Sequence, residues 1–416
     1  MPGFRQATLK TIALGLLLGG GGLISAPLSH AGESWLPGDG VFEATGFIGF
    51  DLRLFPQDAI HTGQRDQHLN PSVVLQPEFS YEWNDGDDRI DFIPFARLDP
   101  QDDERRHFDI RELKYLHIDD GWDLRVGIDK VFWGVTESRH LVDIVNQTDA
   151  VEAPDGEDKL GQPLINLGIQ SEYGDFNFIT MPYFRERTFP GTKGRLRSSI
   201  PVDTDRAVYD NDLEELHPDF AVRYSAVLGD WDIGLANFYG TSREPRLLFD
   251  PDNSVLVPHY DIINQTSADI QATYDAWLWK LESIYRTGQG DDFHAVSGGF
   301  EYTFFGIVGD YGDLGLLVEY HYDDRDETAP GTIFDDDIFV GTRITLNDED
   351  DTDFLAGVVV DRLNQGRSFL IEADTRLNDN MTLEAELNIS DNISRNDLLF
   401  DTRQDDFAEI RLNYYF

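Results

Sequence analysis

The chain has 416 residues, no cysteine, 40% hydrophobic residues, a mean hydropathy of −0.38 and a formal charge of −45 at pH 7. Without cysteine there is no disulfide, thiolate metal site or thiol nucleophile, and so acidic a chain lacks the basic footprint of a nucleic-acid binder. Beyond residue 24 no stretch is apolar over the roughly 20 residues that a spanning helix needs, so any membrane crossing falls to strands, in which only alternate residues face lipid.

In chain order, the first segment is built for export. Arg5 and Lys10 give a basic start, residues 11–24 are apolar and rich in Leu and Gly, and Ser29-His30-Ala31 fits a small-x-small cleavage site. Residues 1–31 are therefore predicted to be a signal peptide of the Sec type, with no lipoprotein anchor because no Cys follows. Its removal takes two cations with it, leaving −47, a charge that implies a well-hydrated surface. Residues 32–40 are expected to be a short periplasmic segment.

From residue 41 the chain breaks into about eighteen stretches with a period of two, the repeat of a strand with two unlike faces. In residues 41–54, Phe42, Ala44, Gly46, Ile48, Phe50, Leu52 and Leu54 oppose Glu43, Thr45, Asp51 and Arg53. In residues 72–83, Val73, Leu75, Phe79, Tyr81 and Trp83 oppose Ser72, Gln76, Glu78, Ser80 and Glu82, and Asn84-Asp85-Gly86 turns the chain into residues 89–99. Further strands are predicted at 107–118, 122–132, 164–173, 176–185, 219–228, 231–240, 267–275, 277–287, 293–304, 313–323, 337–346, 353–361, 368–377, 381–390 and 406–416. Within 107–118 the apolar face slips from Phe108 and Ile110 to Leu113 and Tyr115, which predicts a β-bulge. The count falls to sixteen if two weak segments merge or belong to loops.

Short turns alternate with long connections, notably 55–71, 133–163, 186–218, 241–266, 324–336 and 391–405. That rhythm belongs to outer-membrane barrels, with short periplasmic turns and long external loops. About ten residues per strand, tilted by about 45°, cover roughly 25 Å of membrane normal. Aromatics near strand ends, among them Tyr81, Trp83, Trp122, Trp231, Trp277, Trp279 and Tyr414, suit interfacial girdles. A propeller would show a repeat of about 40 to 50 residues, which is absent, and a sandwich has no reason for the short-long rhythm.

The last strand, residues 407–416, alternates Ala408, Ile410, Leu412, Tyr414 and Phe416 with Glu409, Arg411 and Asn413. It resembles the closing strand of a bacterial outer-membrane β-barrel. The resemblance implies an all-β, single transmembrane antiparallel up-and-down barrel over residues 41–416, in the outer membrane of a Gram-negative bacterium. It also implies contact with outer-membrane lipid and lipopolysaccharide, and recognition by the barrel-assembly machinery through the strand ending in Phe416. Oligomeric state is open.

Barrels of this size enclose an aqueous passage unless plugged, so passive diffusion of small hydrophilic solutes is the expected function, with loop-controlled selectivity. The predicted lining mixes signs, and cross-strand ion pairing is the expected role of most of its members. Candidate lining or constriction residues are Arg53, Arg97, Arg125, Lys130, Trp133, Glu137, Arg139, Asp143, Arg223, Arg286 and Arg343. The stretch from Asp129-Lys130 through Trp133-Gly134 to Val142-Asp143, Asn146 and Asp149 resembles a family of uncharacterised porin-like outer-membrane barrels, with Asp129-Lys130 where that family most often has Arg-Gln. Its loop is long enough to fold inward and narrow a pore; a loop held outside by its own hydrogen bonds is the equal alternative.

In the acidic background, residues 185–197 stand out with Arg185, Arg187, Lys193, Arg195 and Arg197 against Glu186. An anion-attracting collar, a lipopolysaccharide phosphate contact and neutralisation of acidic neighbours are all consistent with it. Two other functions stay open. One is a substrate-specific exporter or importer of an acidic polymer or lipid-like compound, as in the alginate-export type of barrel; the other is a barrel-embedded hydrolase, for which no catalytic motif is visible. No cofactor or metal is predicted: Asp335-Asp336-Asp337 and residues 348–353 offer oxygen ligands for Ca²⁺ but not the spaced 12-residue loop, and are read as solvated turns.

Overall fold

Strands with one apolar face are stable only where their backbone groups find partners on both sides, and here nearly every strand does. The computed structural model describes residues 40–153, 155–309 and 311–416; the expected signal peptide and residues 32–39 lie outside the described residues. In chain order the strands are β1 (Val41–Leu54), β2 (Leu69–Trp83), β3 (Asp88–Leu98), β4 (Phe108–Asp119), β5 (Trp122–Asp129), β6 (Gln162–Ser171), β7 (Gly174–Met181), β8 (Val208–Tyr209), β9 (Asp219–Leu228), β10 (Trp231–Thr241), β11 (Arg246–Asp250), β12 (Val255–Tyr260), β13 (Ile262–Tyr274), β14 (Trp277–Thr287), β15 (Phe293–Val308), β16 (Gly312–Asp323), β17 (Asp336–Thr345), β18 (Asp353–Asp361), β19 (Arg367–Asn378), β20 (Met381–Asp391) and β21 (Phe407–Tyr415).

All but β8, β11 and β12 form one sheet of 18 strands. Each pairs antiparallel with the next barrel strand in sequence, and β21 returns to β1 with Phe47 opposite Tyr415 and Leu54 opposite Ala408. The result is a closed up-and-down barrel without edge strands, and the 18 pairings exclude the sixteen-strand count.

Period-two alternation now sorts by face. On β1, Phe50, Leu52 and Leu54 are exposed on the outer surface while Asp51 and Arg53 are buried inside. The outer belt is closed near the turn ends by aromatic chains: Phe42 stacks on Phe79 and Phe79 on Phe92 at 6.3 and 6.0 Å, and Trp277 meets Trp279, Phe300 and Tyr302 at 4.6 to 5.5 Å. This is the expected girdle position, where amphipathic rings meet an interface.

The bulge falls where the slipped apolar face placed it. Ile93 pairs with Glu112 but Pro94 pairs with Ile110, so Arg111 has no partner of its own across β3. Pro94 has no N–H for the ladder, and the extra residue turns Arg111 inward. At the β13–β14 turn, Asp275 takes φ of 53°, the left-handed conformation that short polar turn residues tolerate.

Several boundaries differ from expectation, among them the end of β7 at Met181 and of β15 at Val308, and two have a clear physical reason. β5 stops at Asp129 rather than running to residue 132, because the chain leaves the wall there for the lumen. β13 starts at Ile262, five residues early. Its outward residues there, Asn264 and Thr266, are polar and bond Asn237 at 3.1 and 3.0 Å, so they carry no apolar signal. Ahead of it, β11, β12 and β8 make a small separate three-stranded sheet within the long connections.

Candidate functional site

Residues 130–161, between β5 and β6, enter the barrel and cross it. Glu137 accepts from Lys280 of β14 at 3.3 Å and pairs with Arg343 of β17 at 2.7 Å. β17 lies nine strands from β5 in either direction around the 18-strand circuit, so the loop tip reaches the opposite wall.

Two carboxylates on the wall receive the tip. Glu282, 0% exposed on β14, accepts the backbone N–H of Val135 (2.6 Å), Thr136 (2.9 Å) and Val142 (3.1 Å) and the Thr136 hydroxyl (2.7 Å). Glu319 of β16 accepts the N–H groups of Glu137 and Ser138 at 2.6 and 3.0 Å. Gly134 makes the close approach feasible: its φ is 149°, and a Cβ there would sit 3.2 Å from Glu282 Oε1. Arg139 adds an ion pair to Asp323 at 2.6 Å.

Apolar packing supplies the rest. Leu141, Val142, Ile144 and Val145 of the loop are buried with Trp133 against inward-facing Leu164, Ile179, Met181, Phe238, Ile263, Ile284 and Phe293. Burial of such side chains contributes about 1.5–3 kcal/mol each, enough to make this a fixed arrangement. The wall from β6 to β15 is therefore partly apolar inside, where a polar lining was expected, because the loop covers it.

The motif residues frame this fold. Asn146 accepts from Val131 N at 2.8 Å and donates to the carbonyls of Asp129 and Leu160 at 2.9 Å, closing the loop base. Asp143 pairs with Lys159 at 3.2 Å, and Asp149 takes Arg111 and the Thr188 hydroxyl at 2.7 and 2.8 Å. The return limb is held by Arg97, 2% exposed on β3, which donates to Glu152 at 2.8–2.9 Å, to Ser72 at 2.7 Å, and to Asp51. Burial alone would raise the Glu152 carboxyl, but Arg97 and Arg105 hold it at about 2. Arg97→Met leaves Asp51 and Glu152 buried without their shared cation, a loss of about 3–5 kcal/mol; thermal unfolding in detergent is expected to show a clear drop in Tm, and an unchanged Tm would mean the network is dispensable.

Other groups in the loop are tuned by this enclosure. Against burial, which lowers it, the Glu157 carboxylate 3.2 Å away raises His140 to about 9. Asp155 is exposed within the lumen, yet enclosure by the barrel and then Glu157 and Asp158 raise it to about 6.

Between the loop and the wall of β17–β21 and β1–β4 lies a cavity of about 620 Å³. Its lining holds thirteen carboxylates and six cations, a formal −7. Of the residues singled out in the sequence, Arg53, Lys130, Asp143 and Arg343 line it. Trp133 and Arg223 lie on the filled side, stacked at 5.2 Å, with Arg223 on Asp269 at 2.7 Å. Arg286 bonds Glu244 and Gln265, and Arg125 stands 3.5 Å from Asp123. Glu78, Glu372, Glu384 and Glu386, polar-face residues expected in the mixed-sign lining of the lumen, join the cavity.

The basic segment 185–197 ties other loops together. Arg195 bonds Asp405 at 2.7 Å and lies over Phe55 at 4.6 Å; Arg197 donates to the carbonyls of Thr62, Thr192 and Ser198. Lys193, 43% exposed, meets Asp103 at 2.5 Å, and Arg185 meets Asp109 at 2.7 Å. Arg187 forms no ion pair among the described residues and faces Phe189 at 5.9 Å.

Comparison with solved structures agrees on the fold. A crystal structure of OccK3 (OpdO) from Pseudomonas aeruginosa superposes with a TM-score of 0.51 at 11% identity, over 90% of this chain and 96% of that one. A mutant of the Rh. blastica porin aligns at 14% identity over 90% of this chain and 100% of its own, with a TM-score of 0.43. No protein-family profile matches the sequence, and no curated protein matches it significantly.

Proposed function

We propose that this porin-type barrel is an outer-membrane channel whose solute path is the acidic cavity beside the inward loop, and that it favours cations and small hydrophilic solutes without net negative charge. The observation that carries this is the juxtaposition of a loop spanning the lumen with a lining of formal charge −7. Rings of carboxylates raise the local cation concentration and repel anions. The outward apolar belt with its aromatic rim suits a bilayer of a Gram-negative outer membrane, with lipid and lipopolysaccharide around it. The closing strand pair, in which the Phe416 N–H bonds the Gly46 carbonyl at 3.0 Å, is the part of the barrel this reading assigns to recognition by the assembly machinery.

The lining charge disfavours the acidic-polymer alternative, which needs a cationic lumen. An anion contact by the basic segment narrows to Arg187, since the other four cations already have protein acceptors.

Planar-bilayer recordings under a salt gradient test this reading. At pH 7.5 the reversal potential is expected on the cation side. Because Asp155 titrates at about 6 and Asp158 is also raised by burial, charge is lost from the lining at a higher pH than ordinary carboxylates require. Cation preference should therefore weaken as pH falls through about 6, well before the ordinary range near about 4. Anion preference at pH 7.5, or a closed barrel with no conductance, refutes the proposal.

A further inference from the structure

We propose that the rim between β17 and β18 holds a divalent metal ion, Ca²⁺ by its ligand chemistry, among Asp335, Asp337 and Asp361. Asp337 and Asp361 stand directly opposite each other in the antiparallel register. Like charges so placed are destabilising, and here they are also buried, at 1% and 8% exposure. Asp335, at the end of the loop before β17, brings a third carboxylate, and one oxygen of each lies within 4.8 Å of the others. Two ligands about 2.4 Å from one Ca²⁺ are at most about 4.8 Å apart, and all three pairs meet that requirement for a shared ion.

Hydrogen bonds orient the group and leave ligands over. Asp361 Oδ1 accepts the N–H groups of Leu363 and Asn364 at 2.7 and 2.8 Å, and Asp335 Oδ1 accepts Asp336 N at 2.8 Å. Asp337 Oδ2 is sealed from solvent and has no hydrogen-bond partner. A buried carboxylate oxygen without a donor needs a proton or a cation, and among the described residues no Lys, Arg or His pairs with any of the three. Arg362, the nearest in sequence, is engaged by Asp336 at 2.7 Å.

Two other acidic clusters show the contrast. In His107, Asp149 and Glu152 the carboxylates are bonded by Arg111 and Arg97; in Asp210, His259 and Asp261, Arg246 bonds Asp261 and His259 stands 3.4 Å from Asp210. Each of those clusters already holds a basic side chain. An all-carboxylate oxygen set selects a hard cation over Zn²⁺, and its irregular arrangement, two strand-end carboxylates and one from the adjoining loop, suits the flexible coordination of Ca²⁺ better than the strict octahedron of Mg²⁺. Bound there, the ion would cross-link the β16–β17 loop to the end of β18. Asp323, which anchors Arg139 of the inward loop, donates its backbone N–H to the Asp335 carbonyl at 3.1 Å, so the site adjoins the anchorage.

The test uses the full chain in detergent micelles after treatment with EDTA, titrated with CaCl₂ by calorimetry and followed by thermal unfolding. The wild type is expected to show one saturable site, with Kd in the range of about 10⁻⁴–10⁻³ M typical of extracellular sites or tighter, and a rise in Tm. Asp337→Asn and Asp361→Asn should each weaken that site by about tenfold or more through loss of a charged ligand. Asp336→Asn, one residue away and outside the cluster, should leave it unchanged. An equal response in Asp336→Asn and Asp337→Asn means diffuse surface binding and overturns the proposal. So does a wild type indifferent to Ca²⁺ whose Tm rises in Asp337→Asn, the signature of a proton-sharing carboxylate pair. Conductance is not the readout, so the result stands apart from the channel reading.

Discussion

Glu282→Ala is expected to release the inward loop, raising single-channel conductance on the order of twofold or more, since the loop fills cross-section that a barrel of 18 strands leaves open. The residue is a receptor for four loop donors, three on Oε1 and the Val142 N–H on Oε2. Hydrogen bonds to a charged acceptor contribute about 1.5–3 kcal/mol each, and their donors are left facing an alanine. Opposing release are the buried side chains of Leu141, Val142, Ile144 and Val145 and the second receptor, Glu319. The double replacement Glu282→Ala with Glu319→Ala is therefore expected to exceed the single one.

The isosteric change separates anchoring from charge. In Glu282→Gln the side-chain carbonyl still accepts at the Oε1 position, but the new amide meets the Val142 N–H, so an intermediate conductance is expected. A Glu282→Ala channel with wild-type conductance would show that apolar packing alone holds the loop, or that the loop does not limit flow. Because Glu282 faces inward, the outer belt and strand pairing are untouched and the folded barrel should form in either variant.

How much of this was legible beforehand follows from the range of each interaction. Strand and turn signals are local: Asn84-Asp85-Gly86 or the slip between Ile110 and Leu113 can be read within a few residues, and the structure shows both the hairpin and the bulge there. Face assignment is not local. Ile179, Met181, Ile263 and Ile284 alternate as any lipid-facing residue would, yet they point inward because residues 141–145 cover them. The available sign was the apolar run Leu141-Val142 and Ile144-Val145 inside an otherwise polar loop, which has no reason to be greasy unless it lies against a wall.

Long-range ion pairs were beyond reach for the same reason. Arg195 finds Asp405, 210 residues away, and Arg97 unites β1, β2 and the inward loop. Their charges were visible but their partners depended on barrel closure. Asp337 and Asp361 illustrate the converse: Asp335-Asp336-Asp337 looked like a solvated turn until the register of β17 with β18 set Asp361 across from it.

Neutralising Glu372 and Glu386 together is expected to cost selectivity without costing stability. These two face each other across β19 and β20, and Glu386 also stands opposite Glu409 on β21. Arg411 meets Glu384 and Glu409, and Arg53 meets Glu409, but among the described residues no cation lies within ion-pair distance of Glu372 or Glu386. Directly opposed like charges cost a few tenths to about 1 kcal/mol, so Glu372→Gln with Glu386→Gln should leave Tm equal or higher. Each lost charge is worth about 1 kcal/mol to a cation 4 Å away in water, about a fivefold change in local concentration. The cation-to-anion permeability ratio is therefore expected to fall severalfold, with the reversal potential moving toward zero. A retained preference alongside raised stability would relocate the selective barrier to the loop carboxylates. Loss of both preference and stability would mark the pair as a structural element held by a bound cation.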